Sequence, residues 1–86
     1  MMPYPVDIRF ISFEKYHGEG VICVTINGVR YEYVLPAAWM AEVKMTLKEG
    51  PIEALKYLKK LPHTLYRYNA AGELERVETK KREVEV

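Results

Sequence analysis

The chain has 86 residues and a formal net charge of +1, with 49% hydrophobic and 29% charged side chains. This length supports one modest hydrophobic core and is too short for two, and the composition excludes a disordered or fibrous protein. The longest nearly apolar run, residues 34–41, is far shorter than the roughly 20 residues that a membrane helix needs. We therefore expect a single domain over residues 1–79, a frayed charged tail over residues 80–86, and no membrane partner.

Residue usage also bears on compartment and source. Cys23 is the single cysteine and belongs to no C-x-x-C motif, and the first residues lack the basic and apolar regions of a signal peptide. Both features predict a cytoplasmic protein. Glutamine is absent while Glu, Lys and Tyr are abundant, which resembles the usage of thermophile proteins.

Apolar and charged side chains alternate near the start of the chain, which predicts a first strand over residues 6–13. The alternation slips in phase after Phe10, which indicates either a bulge or burial of both faces at that end. We expect residues 14–20 to form a loop that carries Tyr16 and His17.

The dipeptide Asn27-Gly28, between the β-rich runs 21–26 and 29–35, predicts a hairpin. A type I′ turn needs positive φ at both central positions, which Asn and Gly tolerate. A two-residue turn also fixes the register, so alternate side chains of both strands share one face. The apolar face, which we expect to face the core, pairs Ile26 with Val29, Val24 with Tyr31 and Ile22 with Tyr33. The polar face pairs Thr25 with Arg30 and Cys23 with Glu32.

Two helices are expected next. Pro36 suits a helix entry, and apolar residues then recur at helical spacing, which predicts a first helix over about residues 37–49. Gly50-Pro51 ends this helix and begins a second one, over about residues 51–61. The buried stripe of the second helix is predicted to comprise Ile52, Ala54, Leu55, Leu58 and Leu61.

A second hairpin is expected near the end of the chain. Residues 64–68 alternate again, residues 69–72 suit a turn, and residues 73–79 return as a partner strand through Leu74 and Val77. The sequence therefore predicts the α+β class, with a small antiparallel sheet of three to five strands packed against two helices.

Part of the chain carries a recognisable order of residues. Residues 20–50 contain a hairpin strand and then the Gly28 turn, Tyr31-Glu32-Tyr33, Leu35-Pro36 and a helix with Trp39. In these residues the chain resembles the KTSC domain, a short module found at the C-terminal end of some lysyl-tRNA synthetases and as a stand-alone protein. The resemblance covers about a third of the chain and implies a domain of unassigned activity, with RNA binding suggested for it. It supplies no catalytic residues.

No catalytic, metal or cofactor site is predicted. Nucleophilic catalysis needs a nucleophile, a base and a group that orients the base, and zinc needs three or four closely spaced Cys or His ligands. No known motif surrounds the candidate residues, which are Asp7, Ser12, His17, Cys23 and His63. An enzyme remains an option only if a deep pocket gathers Tyr16, His17 and Glu19.

Nucleic-acid binding needs basic side chains for phosphates and exposed aromatic rings for unpaired bases. Residues 37–68 carry six Lys or Arg against three Glu. We therefore predict a non-enzymatic module that binds nucleic acid, RNA in particular, through a basic second helix, although a charged helix face is also common as a plain solvated surface. The predicted contact residues are Arg30, Lys56, Lys59, Lys60, Arg67 and Tyr68.

Protein association is the alternative. A small sheet with an exposed edge, together with Val84 and Val86 of the tail, offers strands for pairing with another chain. A homodimer or a pairing with another protein would make the chain an assembly adaptor of viral or small-operon origin.

Overall fold

The computed structural model describes residues 7–81, which form five β-strands and two α-helices. The strands are β1 (Ile8–Tyr16), β2 (Glu19–Ile26), β3 (Val29–Pro36), β4 (His63–Tyr68) and β5 (Leu74–Lys80). Between β3 and β4 lie a short 3₁₀ helix (Ala37–Trp39), α1 (Met40–Leu47) and α2 (Pro51–Lys60). The strands form one antiparallel sheet in the order β1-β2-β3-β4-β5, so each strand pairs with the next one in sequence. The predicted α+β class is confirmed, with five strands.

The β2–β3 hairpin turns at Asn27 and Gly28, whose φ angles are +49° and +84°. All five predicted pairs, from Ile26–Val29 at the turn to Ile22–Tyr33, are the pairs observed. Tyr33 is only 1% exposed, and Tyr31 packs partly buried against the core. The prediction that both tyrosines point to the core side is therefore confirmed.

A second tight hairpin joins β1 to β2, where the sequence predicted a loop. The prediction of a loop over residues 14–20 is wrong, because β1 continues to Tyr16 and β2 begins at Glu19. His17 and Gly18 form the turn with φ angles of +48° and +86°. The predicted bulge in β1 is confirmed between Phe10 and Ser12, and the extra residue, Ile11, is 55% exposed.

The helices largely follow the prediction. The first begins as the 3₁₀ helix after Pro36 before α1 starts, and Gly50, at φ +136°, separates α1 from α2. Pro51 occupies the first turn of α2, where its missing N–H costs nothing. The buried stripe of α2 is confirmed except for Ile52, which is 45% exposed and was wrongly assigned to it. Neither helix is long and apolar enough to cross a membrane, within residues 7–81.

The β4–β5 hairpin confirms the last predicted element, but its burial differs from the expectation. Leu74 and Val77, which were expected to dock β5, are 45% and 42% exposed. The reason is that β5 is the outermost strand and its register shifts opposite Leu65 and Tyr66. Lys80, which the sequence assigned to the tail, pairs with His63 as the last residue of β5, and residues 82–86 lie outside the described part.

Both helices pack on one side of the sheet. Their buried residues join alternate residues of the central strands in one core, which comprises Ile22, Val24, Tyr33, Leu35, Met40, Val43, Leu55, Leu58, Leu61 and Leu65. Because neighbouring residues of a strand point to opposite faces, the residues between these strand positions form a second face. We call this second face, which no helix covers within residues 7–81, the open face.

Candidate nucleic-acid interface

The structure divides the six predicted contact residues between the two sides of the sheet. Arg30 and Tyr68 lie on the open face, on the neighbouring strands β3 and β4. Arg67 points to the helix side, where it lines a groove together with Lys59. Lys56 and Lys60 lie on α2. The sequence therefore predicted as one contact set residues that lie on two different surfaces of the structure.

Arg30, Tyr68 and Glu32 form a connected group on the open face. The Arg30 guanidinium lies 5.0 Å from the centre of the Tyr68 ring, within cation–π range. The Tyr68 hydroxyl donates a 2.8 Å hydrogen bond to Oε2 of Glu32, and this bond is the main reason why the pKa of Tyr68 is raised. Tyr68 therefore remains a neutral hydrogen-bond donor at physiological pH, with its ring held in place from two sides.

Tyr66 and Arg76 extend this group, and neither was among the predicted contact residues. Tyr66 lies between Glu32 of β3 and Arg76 of β5 in the sheet register, so it shares the open face with Tyr68. The alternation of Tyr66, Arg67 and Tyr68 was a usable signal, because residues two apart on a strand point the same way. Alternation could not predict on which face of the sheet Arg76 lies, because the register shift in the β4–β5 pair changes which residues of β5 share a face with those of β4.

The basic side chains at the end of α2 form a second group. Lys59 and Lys60 lie in the last turn of α2, where cations favour the negative end of the helix dipole. The Lys80 ammonium of β5 donates a 3.0 Å hydrogen bond to the Lys59 carbonyl, one of the carbonyls that the helix end leaves unpaired. We call Lys56, Lys59, Lys60 and Lys80 the lysine surface.

Most of the charge on the lysine surface is not neutralised by neighbouring carboxylates. Lys56 lies 4.0 Å from Glu53, a distance at which an exposed pair contributes little. Within residues 7–81, no carboxylate lies within 4.0 Å of the ammonium groups of Lys59, Lys60 or Lys80. These three groups are therefore available for an anionic ligand.

Arg67 differs from the lysines because it already has an acidic partner. Its Nη2 donates a 2.7 Å hydrogen bond to Oε1 of Glu75, which raises the pKa of Arg67 and lowers that of Glu75. The groove beside it has a volume of about 350 Å³ and also contains Glu78. Arg67 is therefore a weaker candidate for phosphate contact than the lysine surface.

The residues with catalytic or metal-binding chemistry do not converge. Within residues 7–81 there is no group of three or more His, Cys, Asp or Glu side chains that could hold a metal ion. A pocket of about 440 Å³ at one end of the sheet is lined by Glu19 and His63, but neither Tyr16 nor His17 lines it. The His63 side chain is buried, and its Nδ1 lies 2.7 Å from the Leu61 carbonyl. Since a carbonyl only accepts, Nδ1 donates this bond.

Comparisons with known proteins add no relative. No family model matches the chain, and comparisons with curated proteins and with solved structures return no match. The resemblance of residues 20–50 to the KTSC domain therefore stays a prediction.

Proposed function

We propose that this protein is a non-enzymatic module that binds nucleic acid, RNA in particular, through contacts to backbone phosphates. The proposal depends on one observation. The Lys80 ammonium of β5 contacts the Lys59 carbonyl at the end of α2, next to Lys60, and no carboxylate of residues 7–81 lies within 4.0 Å of the ammonium groups of these three lysines. Ammonium groups that are not neutralised bind phosphates and release counterions, which supplies affinity without sequence specificity.

The salt dependence of RNA binding tests this proposal. We expect a labelled RNA of about 12 nucleotides to bind at low salt in fluorescence anisotropy, with an affinity that falls steeply as salt rises. Lys59→Gln and Lys60→Gln each remove one phosphate contact. Each should therefore reduce the slope of log affinity against log salt by about one.

Lys15→Gln is the matched control, because it makes the same charge change on β1, at the sheet edge opposite to β5. It should leave the slope unchanged. Absence of any binding to single- or double-stranded RNA or DNA at low salt contradicts the proposal. An equal loss in all three variants would also contradict it, because the effect would then depend on net charge rather than on the lysine surface.

One observation favours a second candidate function, assembly through the sheet edge. All seven residues of β5 are exposed, and its outer edge has no partner strand within residues 7–81. Glu75, Arg76 and Glu78 place charges along this edge, which opposes pairing with a second strand. Light scattering that shows a monomer over the accessible concentration range would exclude a stable homodimer.

We also propose a cytoplasmic location. The thiol of Cys23, which is buried and free of any disulfide, supports a reducing compartment. Fractionation of the source cells with an antibody against this chain tests the location, and recovery outside the cytoplasmic fraction would contradict it.

A further inference from the structure

We propose that the open face binds an unpaired nucleic-acid strand, whose bases stack on Tyr66 and on the Arg30–Tyr68 pair. This inference rests on the proposed function, because it assigns the bases of the same ligand whose phosphates contact the lysine surface. It adds a selectivity that phosphate contacts alone do not give, namely a preference for single strands over duplexes.

The arrangement of the aromatic rings supports base stacking. Tyr66 and Tyr68 lie two residues apart on β4, so their Cα atoms are separated by about 6.6 Å along the strand. This spacing is about twice the 3.4 Å rise between stacked bases, so the Tyr66 ring and the Arg30 guanidinium over Tyr68 each accept one base of a strand whose bases are splayed apart. Both tyrosines are only partly exposed, so little side-chain freedom is lost when a base stacks on them.

The Arg30–Tyr68 pair is held in position before any ligand arrives. Arg30 lies over the ring at 5.0 Å, and the hydroxyl is fixed by Glu32 at 2.8 Å. A guanidinium plane stacks on bases as an aromatic ring does, and it also attracts phosphate. An arginine held on a ring therefore offers stacking and charge at a single point.

The charges beside these rings favour bases that point inward and phosphates that lie outward. Arg30 and Arg76 flank the tyrosines, and Glu32 is the one carboxylate between them in the register of β3, β4 and β5. A glutamate repels phosphate but accepts hydrogen bonds from the amino groups of bases. A duplex cannot use this surface, because the faces of its bases are already stacked on one another.

The polarity of the same face argues against a second copy of the chain as the occupant. The centre of a stable homodimer interface is depleted of charged residues. The part of the open face formed by β3, β4 and β5 contains Arg30, Glu32 and Arg76, which a protein partner covering the tyrosines would have to desolvate.

The edge strand β5 connects the open face to the lysine surface. Arg76 pairs with Tyr66 on the open face, and Lys80, four residues further along β5, contacts the end of α2 on the other side. Four residues of strand span about 13 Å, so a strand that stacks on Tyr66 reaches Lys80 by crossing β5. One ligand therefore contacts both surfaces.

Binding of single strands and duplexes by tyrosine variants tests the inference. The probes are an oligouridylate of about 12 nucleotides and a blunt RNA duplex of about 12 base pairs, both measured by anisotropy. We expect Tyr66→Leu and Tyr68→Leu each to weaken binding of the oligouridylate roughly tenfold and to leave duplex binding within about twofold. Tyr68→Phe, which keeps the ring, should retain most of the affinity for the single strand.

Tyr16→Leu is the matched control, because Tyr16 shares the open face but lies at the end of β1, three strands away from β4, and takes no part in the proposed stacking. It should change neither affinity. If Tyr68→Leu fails to fold by circular dichroism, Arg30→Ala replaces it, because Arg30 is exposed and its removal also deletes a stacking plane. Photo-crosslinking with 4-thiouridine in the oligouridylate gives an independent measurement, and we expect crosslinks in the peptide that contains Tyr66 and Tyr68.

The outcomes separate this inference from the proposed function. Equal binding of single strand and duplex, lowered by Lys60→Gln but not by the tyrosine variants, overturns the inference and leaves the proposed function standing. Binding of neither probe by the wild type overturns both. A dimer that the tyrosine variants convert to a monomer, with no change in oligouridylate affinity, identifies the open face as a contact between two copies and overturns the inference.

Discussion

Tyr33 is the largest side chain of the fully buried core, and it carries a titratable group into that core. Burial, together with the nearby Glu78 carboxylate and Tyr31, raises its pKa from 10.0 to about 12. A raised pKa means that the folded state holds the phenol proton more tightly than the unfolded state does. The resulting stability is fully present below pH 10 and is lost as pH rises towards 12.

Tyr33→Phe isolates this effect, because it removes the titrating group and keeps the ring. We expect wild type to lose about 1 kcal/mol more than Tyr33→Phe when pH rises from 8 to 11, measured by urea denaturation. The other tyrosines and the lysines titrate in both proteins, so their contributions cancel in the comparison. Parallel curves for the two proteins would show that the Tyr33 phenol ionises as easily in the folded state as in the unfolded one.

At the scale of elements, the close approach of the helical segment to β2 depends on Gly20. A Cβ atom at this position would lie 2.4 Å from the Met40 sulfur and 2.6 Å from its Cγ. Met40 is 1% exposed, so it has little space to move away. Glycine is therefore required here for space, since no positive φ is involved.

We expect Gly20→Ala to destabilise the fold by about 1–2 kcal/mol. Overpacking destabilises the fold by about 1–3 kcal/mol. The lower conformational entropy of the unfolded alanine variant offsets about 0.4–1 kcal/mol of this loss. The same change should cost less in a Met40→Ala background, where the smaller side chain leaves room for the new methyl group. Thermal or urea denaturation of the four proteins of this cycle measures the coupling, and zero coupling would exclude a contact between the two positions.

The elements also show how far the sequence predicts this fold. The dipeptide Asn27-Gly28 predicted the β2–β3 register correctly, because few residue pairs adopt positive φ at two successive positions. His17-Gly18 adopts nearly the same geometry, but histidine is not a typical turn residue, and the first hairpin was therefore predicted as a loop. The exposure of Ile52 depends on how α2 is rotated against the sheet, which no local pattern specifies.

The candidate site was harder to predict than the fold, because its residues come from different elements. Alternation along β4 places Tyr68 and Arg67 on opposite sides of the sheet, so one basic and aromatic run in the sequence divides into two surfaces. Lys80 joins the lysine surface only through the β4–β5 pairing and its contact with the end of α2. Composition therefore indicated the chemistry of the site but not its location.

At the scale of the whole molecule, the open face and the lysine surface lie on opposite sides of one sheet and meet at β5. If one RNA strand crosses this edge, it contacts Tyr68 on one side of the sheet and Lys60 on the other, and these two side chains share no partner within residues 7–81. Free-energy losses at such sites add within about 0.5 kcal/mol, so the fold-losses of affinity caused by Tyr68→Leu and Lys60→Gln should multiply in the double variant.

Anisotropy gives the affinities, and calorimetry should show one oligouridylate bound per protein. A stoichiometry of two strands per protein would instead mean that the surfaces bind separate molecules. If the double variant binds the oligouridylate no more weakly than the single variant with the larger loss, the two residues act as one unit. Multiplied losses at a stoichiometry of one are the result expected for a strand that wraps around β5.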